Sequence, residues 1–200
     1  MMKTYLPFTC LLVLGLLFTS IGAFAQVDYE QLKEKQDLLN EILETSGSVT
    51  CDTSCAEVQI AKSHLSVNAK GTCIYFYEEY SKTPDTRRAV YNSYRFKLAD
   101  IDKLEIRQMS GNSLWKDGCC NDSSYFVIKV TMVGGKKRIT KFETLKRMAY
   151  DKDDKCFYIT HDDQERMFNA FSTVEMYLNS RDAANQVIKE LNTLIAGFGE

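Results

Sequence analysis

The chain has 200 residues, of which 44% are hydrophobic and 26% are charged, and its formal net charge is −2 at pH 7. This length is enough for one domain with a sizeable core. The slightly acidic balance argues against a nucleic-acid partner, because proteins that bind nucleic acids present a basic surface to the phosphates.

The first 25 residues have the pattern of a secretory signal peptide. Lys3 gives a positive start, a largely apolar run covers residues 6–24, and Ala23 and Ala25 form a small-x-small cleavage site. A membrane anchor is the alternative, but the small residues and the polar segment directly after them favour cleavage. We expect cleavage after Ala25, a secreted or periplasmic protein, and no stable membrane anchor. Residues 26–200 then carry 24 basic and 27 acidic residues, a net charge of −3.

The segment 28–46 is predicted to form an N-terminal helix. Asp28 and Gln31 have the spacing of a capping box, and Gly47 marks the end. Apolar residues near one face are Tyr29, Leu32, Leu39, Ile42 and Leu43. The helix either docks on the domain or binds a partner. We divide the mature chain into this helix, residues 26–50, and a single β-rich domain with a C-terminal helix, residues 51–200.

The middle of the chain is predicted to consist of antiparallel strands. "NAKGT" looks like a hairpin turn between the segments 58–67 and 72–80. Residues 90–98 alternate with period two: Val90, Asn92, Tyr94, Phe96 and Leu98 on one face, Tyr91, Ser93, Arg95 and Lys97 on the other.

Further short strands are expected around Leu104 and Ile106 and in "YFVIKVTM", where Phe126, Ile128, Val130 and Met132 share a face. Gly134-Gly135 has the pattern of a two-residue hairpin turn leading into "KKRITKF". "CFYIT" is another short strand, and the segment 167–178 is ambiguous between helix and strand.

A C-terminal amphipathic helix has the strongest pattern. Its apolar stripe consists of Ala184, Val187, Ile188, Leu191, Leu194, Ile195 and Phe198. Ser180 is a suitable N-cap with Asp182 in the first turn, and Gly197 and Gly199 mark the end. So full a stripe is expected to cover an open side of the sheet.

This order of elements resembles the pleckstrin-homology-like barrel, in segments "VYNSYRFKLADIDKLEIRQ", "SSYFVIKVTMVGGKKRITKF" and "SRDAANQVIKELNTLIAGF". The resemblance implies an α+β fold: an antiparallel barrel of six to seven strands capped by the C-terminal helix, with an extra N-terminal helix. It also implies a scaffold that usually binds peptides, proteins or ligands and seldom catalyses. We do not extend lipid headgroup binding from this family to the present chain, because the first hairpin contains only one basic residue, Lys70. A lipocalin-like barrel is the alternative fold.

Six cysteines remain after signal cleavage, and all are candidates for disulfides in an oxidising compartment: Cys51, Cys55, Cys73, Cys119, Cys120 and Cys156. The spacing leaves the connectivity open. Cys51, Cys55, His64 and Cys73 can be drawn as a zinc site, but only one close ligand pair is present, whereas structural zinc sites usually have two. "DKDDK" at 151–155 fails the EF-hand pattern. We expect no metal and no cofactor.

No catalytic residue is assigned. Cys156, His161 and Asp163 are one conceivable nucleophile, base and orienting group, but their local spacing does not by itself build the geometry. Two unplaced carboxylates are another possible catalytic pair.

The candidate binding residues are the basic run Lys136, Lys137, Arg138 and Lys141, together with Trp115 in a loop. The basic run either attracts an acidic partner or protects an exposed strand edge. About half of the tyrosines Tyr75, Tyr77, Tyr80, Tyr91 and Tyr94 are expected in the core. The sequence therefore favours an exported, disulfide-stabilised, non-catalytic module that binds a protein, peptide or glycan. The alternatives are a hydrolase with dispersed carboxylates and a thiol or metal-binding protein.

Overall fold

The computed structural model describes residues 29–52, 57–82, 86–110, 124–151, 156–162 and 165–198. The helix α1 (Tyr29–Ser46) precedes the strands along the chain, and the helix α2 (Arg181–Phe198) follows them. The strands in chain order are β1 (Val49–Asp52), β2 (Glu57–Val67), β3 (Thr72–Lys82), β4 (Thr86–Lys97), β5 (Ile101–Ser110), β6 (Ser124–Met132), β7 (Ile139–Asp151), β8 (Cys156–Asp162), β9 (Arg166–Phe171) and β10 (Thr173–Leu178).

The strands form two antiparallel sheets. The larger has the order β1-β2-β3-β4-β7-β8, and β9 follows β8 along the same edge of β7. The smaller has the order β10-β6-β5. The α+β class, the antiparallel strands and both terminal helices are confirmed. Neither sheet closes on itself within the described residues, so a closed barrel is not observed.

The predicted hairpin at Gly134-Gly135 is wrong, although both glycines have the positive φ of such a turn, +61° and +64°. The strands on either side, β6 and β7, belong to different sheets. The physical reason is that β6 is the central strand of the smaller sheet, where β5 and β10 already occupy both of its edges. The turn instead carries the chain from one sheet to the other.

The ends of both helices follow the sequence signals. Ser180 Oγ accepts a hydrogen bond from the Ala183 amide at 3.2 Å, which confirms the N-cap of α2. The Gly47 amide donates to the Leu43 carbonyl at 2.8 Å. A Cβ at Gly47 would lie 2.3 Å from that carbonyl oxygen, so a larger residue would displace the chain where it leaves α1. The predicted capping box involves Asp28, which lies outside the described residues.

The core lies between the larger sheet, the smaller sheet and the two helices. The apolar stripe of α2 packs on β5 and β6, with Ala184, Val187 and Leu191 fully buried. The helix α1 docks on β2 and α2 through Leu32, Leu39 and Leu43. The prediction that Tyr29 belongs to the apolar face of this helix is wrong, because the residue is 70% exposed.

An ion pair also joins the two helices. The ammonium of Lys35 lies 3.2 Å from Oε2 of the buried Glu190, an ion pair outside hydrogen-bond geometry. A buried carboxylate needs such a partner to offset its loss of hydration. The contact therefore fixes α1 against α2 in addition to the leucines.

The short strand β1 leaves half of β2 without a strand neighbour, and α1 covers that half. β1 pairs only with residues 57–60 of β2. Beyond a bulge at Lys62, Asn40 of α1 donates to the Leu65 carbonyl at 3.0 Å and accepts from the Leu65 amide at 2.8 Å. Gln36 Oε1 accepts from the Val67 amide at 2.8 Å. Side chains of the helix thus replace a missing strand.

Candidate functional site

The predicted basic run does not form one continuous patch. Lys136 and Lys137 are exposed in the connection between the sheets. Arg138 makes an ion pair with Asp100, which lies in the connection between β4 and β5, so the charge of Arg138 is used in a contact within the protein. Lys141 is largely buried, and its Nζ lies 2.5 Å from Glu143 Oε2. Two of the four charges are therefore neutralised within the protein.

Several sequence candidates lie outside the described residues: Trp115, Cys55, Cys119, Cys120, Asp163 and most of the "DKDDK" segment. The structure gives the backbone but not the side chains of Cys51, Cys156 and His161. The disulfide prediction for these cysteines stays a prediction.

The zinc candidates His64 and Cys73 lie on opposite faces of the larger sheet. Cys73 is a free thiol with 0% exposure in the core, and burial raises its pKa well above the usual range. His64 is exposed on the other face. No group of three potential metal ligands occurs in the part of the chain that the structure describes.

Tyrosines line the inner face of the larger sheet where the smaller sheet meets it. Tyr77 stacks with Tyr94 at a centroid distance of 6.1 Å and meets Tyr177 of the smaller sheet edge-on at 5.4 Å. Tyr75 and Tyr125 extend this cluster on either side. Burial raises the pKa of Tyr75, Tyr77 and Tyr177, so these phenols stay neutral at physiological pH. The cluster is a packing contact between the sheets.

The outer face of the larger sheet is a grid of side chains set by strand register. One row consists of His64, Phe76, Ser93, Phe142 and Met167. The next row consists of Ser66, Ile74, Arg95, Thr140 and Asn169. Arg95, His64 and Met167 are exposed, and the aromatic residues between them are half-buried. This face therefore offers aromatic rings among hydrogen-bonding groups.

A cavity of about 360 Å³ opens on this outer face. Its lining consists of Ile74, Ser93, Arg95, Phe142 and Glu165. The first four come from neighbouring strands β3, β4 and β7, and Glu165 immediately precedes β9. Its size is near the lower end of the range of small-ligand sites, and polar atoms form much of its lining.

Arg95 is the main charged group of the cavity. Its guanidinium carbon lies 5.7 Å from the centroid of the Phe142 ring, a cation–π contact that limits the orientations of the side chain. In the part of the chain that is described, the guanidinium makes no ion pair. It therefore presents free N–H donors to the cavity, with the carboxylate of Glu165 as the acidic group of the lining.

Among the described residues, His64 and Ser93 are too far apart to act together as a base and a nucleophile. His64 aligns with Phe76, and Phe76 aligns with Ser93, so the histidine and the serine are two strands apart, about 10 Å. That separation is too long for a base to activate a nucleophile directly. Glu165 is the one carboxylate among the described lining residues, whereas glycoside hydrolysis commonly uses two.

Sequence reasoning did not single out Arg95, Ser93, Phe142 or Glu165. The period-two alternation did place Ser93 and Arg95 together on the face opposite Tyr94 and Phe96, and the structure confirms this. To find the cavity one also needs the register of β3, β4 and β7, because this register brings together residues that are far apart in the chain. Local patterns do not contain that register.

Comparisons of the chain with protein-family models, with curated proteins and with solved structures find no match. The site must therefore be interpreted from its own geometry. Within the described ranges, neither helix is long and apolar enough to span a membrane.

Proposed function

We propose that this protein is an exported, non-catalytic binding module that holds a carboxylate-bearing ligand in the outer cavity. The observation that carries the proposal is the exposed guanidinium of Arg95, held against Phe142 beside a cavity of ligand size. Export is supported by the signal-peptide pattern of residues 1–25. The pleckstrin-like order of elements is consistent with a binding scaffold, although the fold alone does not determine a function.

A guanidinium is well suited to carboxylates because its planar N–H groups match the two oxygens of the carboxylate. The contact with Phe142 restricts Arg95 before any ligand arrives, which reduces the entropy lost on binding. An unpaired arginine on a sheet face therefore has a better-defined geometry for an anion than the exposed lysines at 136 and 137.

The other lining groups indicate what surrounds the carboxylate of the ligand. Ser93 can donate or accept a hydrogen bond, and Glu165 accepts hydrogen bonds from hydroxyl or amine groups. Ile74 and Phe142 offer apolar surface. Two sources fit this chemistry: an acidic sugar, with its hydroxyl groups and apolar ring face, and the carboxylate of a peptide.

The binding function is favoured over the carboxylate hydrolase because the described cavity contains one acid, not a facing pair. A second observation agrees with this. Glu78, Glu105 and Glu143 each form an ion pair with a lysine at 2.9, 2.7 and 2.5 Å, so these carboxylates are engaged in structural contacts.

Titration calorimetry on the mature protein tests the proposal with two probes, a galacturonate oligosaccharide and a short peptide with a free C-terminal carboxylate. Each has a neutral counterpart, the methyl-esterified sugar and the amidated peptide. We expect one acidic probe to bind and its neutral counterpart to bind more weakly. Arg95→Met should weaken binding about tenfold to a hundredfold, since a hydrogen bond to a charged group contributes about 1.5–3 kcal/mol.

Arg88→Met is the matched control, because Arg88 is also exposed on β4 but does not line the cavity. Its affinity should equal that of the unmodified protein. The proposal is wrong if neither acidic probe binds, or if Arg95→Met and Arg88→Met have equal affinity. The acidic probe that binds identifies the source of the carboxylate.

A further inference from the structure

The strand β9 forms an edge of the larger sheet and carries exposed apolar side chains. In the described ranges it pairs with β7 on one side, and no strand lies on its other side. Met167 is 60% exposed, Phe168 39% and Phe171 38%. Natural sheets usually protect such edges with charged residues, bulges or a covering element, because free N–H and C=O groups pair readily with another strand.

The geometry points to a second copy of this chain as the partner of β9, joined edge to edge by antiparallel strands around a twofold axis. In this arrangement Phe168 lies opposite Phe168 of the other copy, and Met167 lies opposite Asn169. The larger sheets of the two copies then continue each other, inner face beside inner face and outer face beside outer face. The reason is that Phe168 aligns with Lys141 on the inner face and Met167 with Phe142 on the outer face. Such a symmetric contact is the commonest form of homodimer.

No repulsion between like charges opposes self-pairing in this register. Arg166 is the one charged residue of the segment 166–170, and it lies near Ala170 of the other copy. Like charges directly opposite are destabilising in antiparallel pairs, whereas aromatic pairs are favourable.

The ends of the strand add charge complementarity. Glu165 precedes β9 and would lie near position 171 of the other copy, just beyond a bulge in β9 at Ala170. Phe171 pairs with Ile139, two residues after the exposed Lys137. The glutamate of one copy is therefore brought to the end of the interface where the other copy carries Lys136 and Lys137. Glu165 also lines the outer cavity, so this end of the interface adjoins the proposed ligand site.

The oligomeric state of the mature protein, measured by sedimentation equilibrium from low micromolar to near-millimolar concentration, tests the inference. We expect a reversible dimer. Phe168→Glu and Phe168→Lys each place two like charges at the twofold axis and should weaken the dimer about a hundredfold, while an equimolar mixture of the two restores a heterodimer. Circular dichroism shows whether each variant is folded.

Leu38→Glu is the control, because Leu38 is 38% exposed on α1, which covers β2 and lies away from β9. It should dimerise like the unmodified protein. A protein that stays monomeric at every concentration overturns the inference and leaves β9 free for a strand of another protein. A dimer that persists in folded Phe168→Glu, or variants that do not associate on mixing, also overturn it.

Discussion

The two strands β2 and β9 both have a side without a full strand neighbour in the larger sheet, and the protein treats them differently. The free half of β2 is covered by α1, whose side chains bind the backbone of Leu65 and Val67. The free side of β9 has no such cover among the described residues, and Met167 and Phe168 beside it are exposed.

Among the described residues, this fold therefore covers the free half of β2 with a helix and leaves the free side of β9 uncovered. The helix α1 brings a buried asparagine and a half-buried glutamine to β2, at the cost of ordering a whole helix. We therefore expect the open edge of the same sheet, which carries phenylalanine and methionine, to bind another strand. The comparison leads to predictions for both edges.

The largest effect is expected for Asn40→Ala. Asn40 is buried and makes two hydrogen bonds to Leu65, so the substitution leaves a buried amide and a buried carbonyl without partners. Each such group costs about 1–3 kcal/mol, and we expect a loss of about 3 kcal/mol in the free energy of unfolding, measured with urea. Thr45→Ala on the same helix removes only an exposed local bond and should change it by less than about 0.5 kcal/mol. Equal effects of the two would contradict the role of Asn40 in sealing β2.

A smaller effect is expected for Gln36→Ala. This residue accepts one hydrogen bond, from the Val67 amide, in a partly buried position. The expected loss is about 1 kcal/mol. Gln36→Glu retains the acceptor oxygen and should recover most of that stability at neutral pH, again in urea unfolding. If Gln36→Glu is no more stable than Gln36→Ala, the hydrogen bond to Val67 does not contribute.

The smallest effect on stability is expected at the open edge. Met167 is 60% exposed, so Met167→Ser should change the free energy of unfolding of the dilute protein by less than about 0.5 kcal/mol. Thermal unfolding at the lowest workable concentration is the suitable measurement. A loss of 2 kcal/mol or more would mean that Met167 is packed inside the monomer and that this edge is covered.

The elements with dense local patterns could be predicted from the sequence. The stripe of α2 and the N-cap Ser180 were correct because the helical period and the cap are local properties. The alternation in β4 placed Asn92 and Phe96 on one face for the same reason, and both are buried in the structure. The turn at Gly134-Gly135 was recognised from the sequence. The prediction that the strands on either side of it pair with each other was wrong, because β6 pairs with β5 and β10 instead.

The sealed edge could not be predicted from the pattern of α1. Asn40 is polar and was left out of the apolar face, although it is 8% exposed in the structure. Its burial makes sense only because the backbone of Leu65 has no strand partner on that side. The cavity had the same difficulty, since Arg95 and Phe142 meet through the pairing of β4 with β7. Both features depend on long-range pairing.

Residue-resolved hydrogen exchange at several protein concentrations tests the contrast between the two edges most directly. The amides of Leu65 and Val67 should be protected equally at every concentration, because their acceptors belong to the same chain. The outward amides of β9 should exchange quickly in dilute protein and become protected as the concentration rises. Protection of β9 in dilute protein, or fast exchange at every concentration, would contradict an open edge that pairs with a second copy.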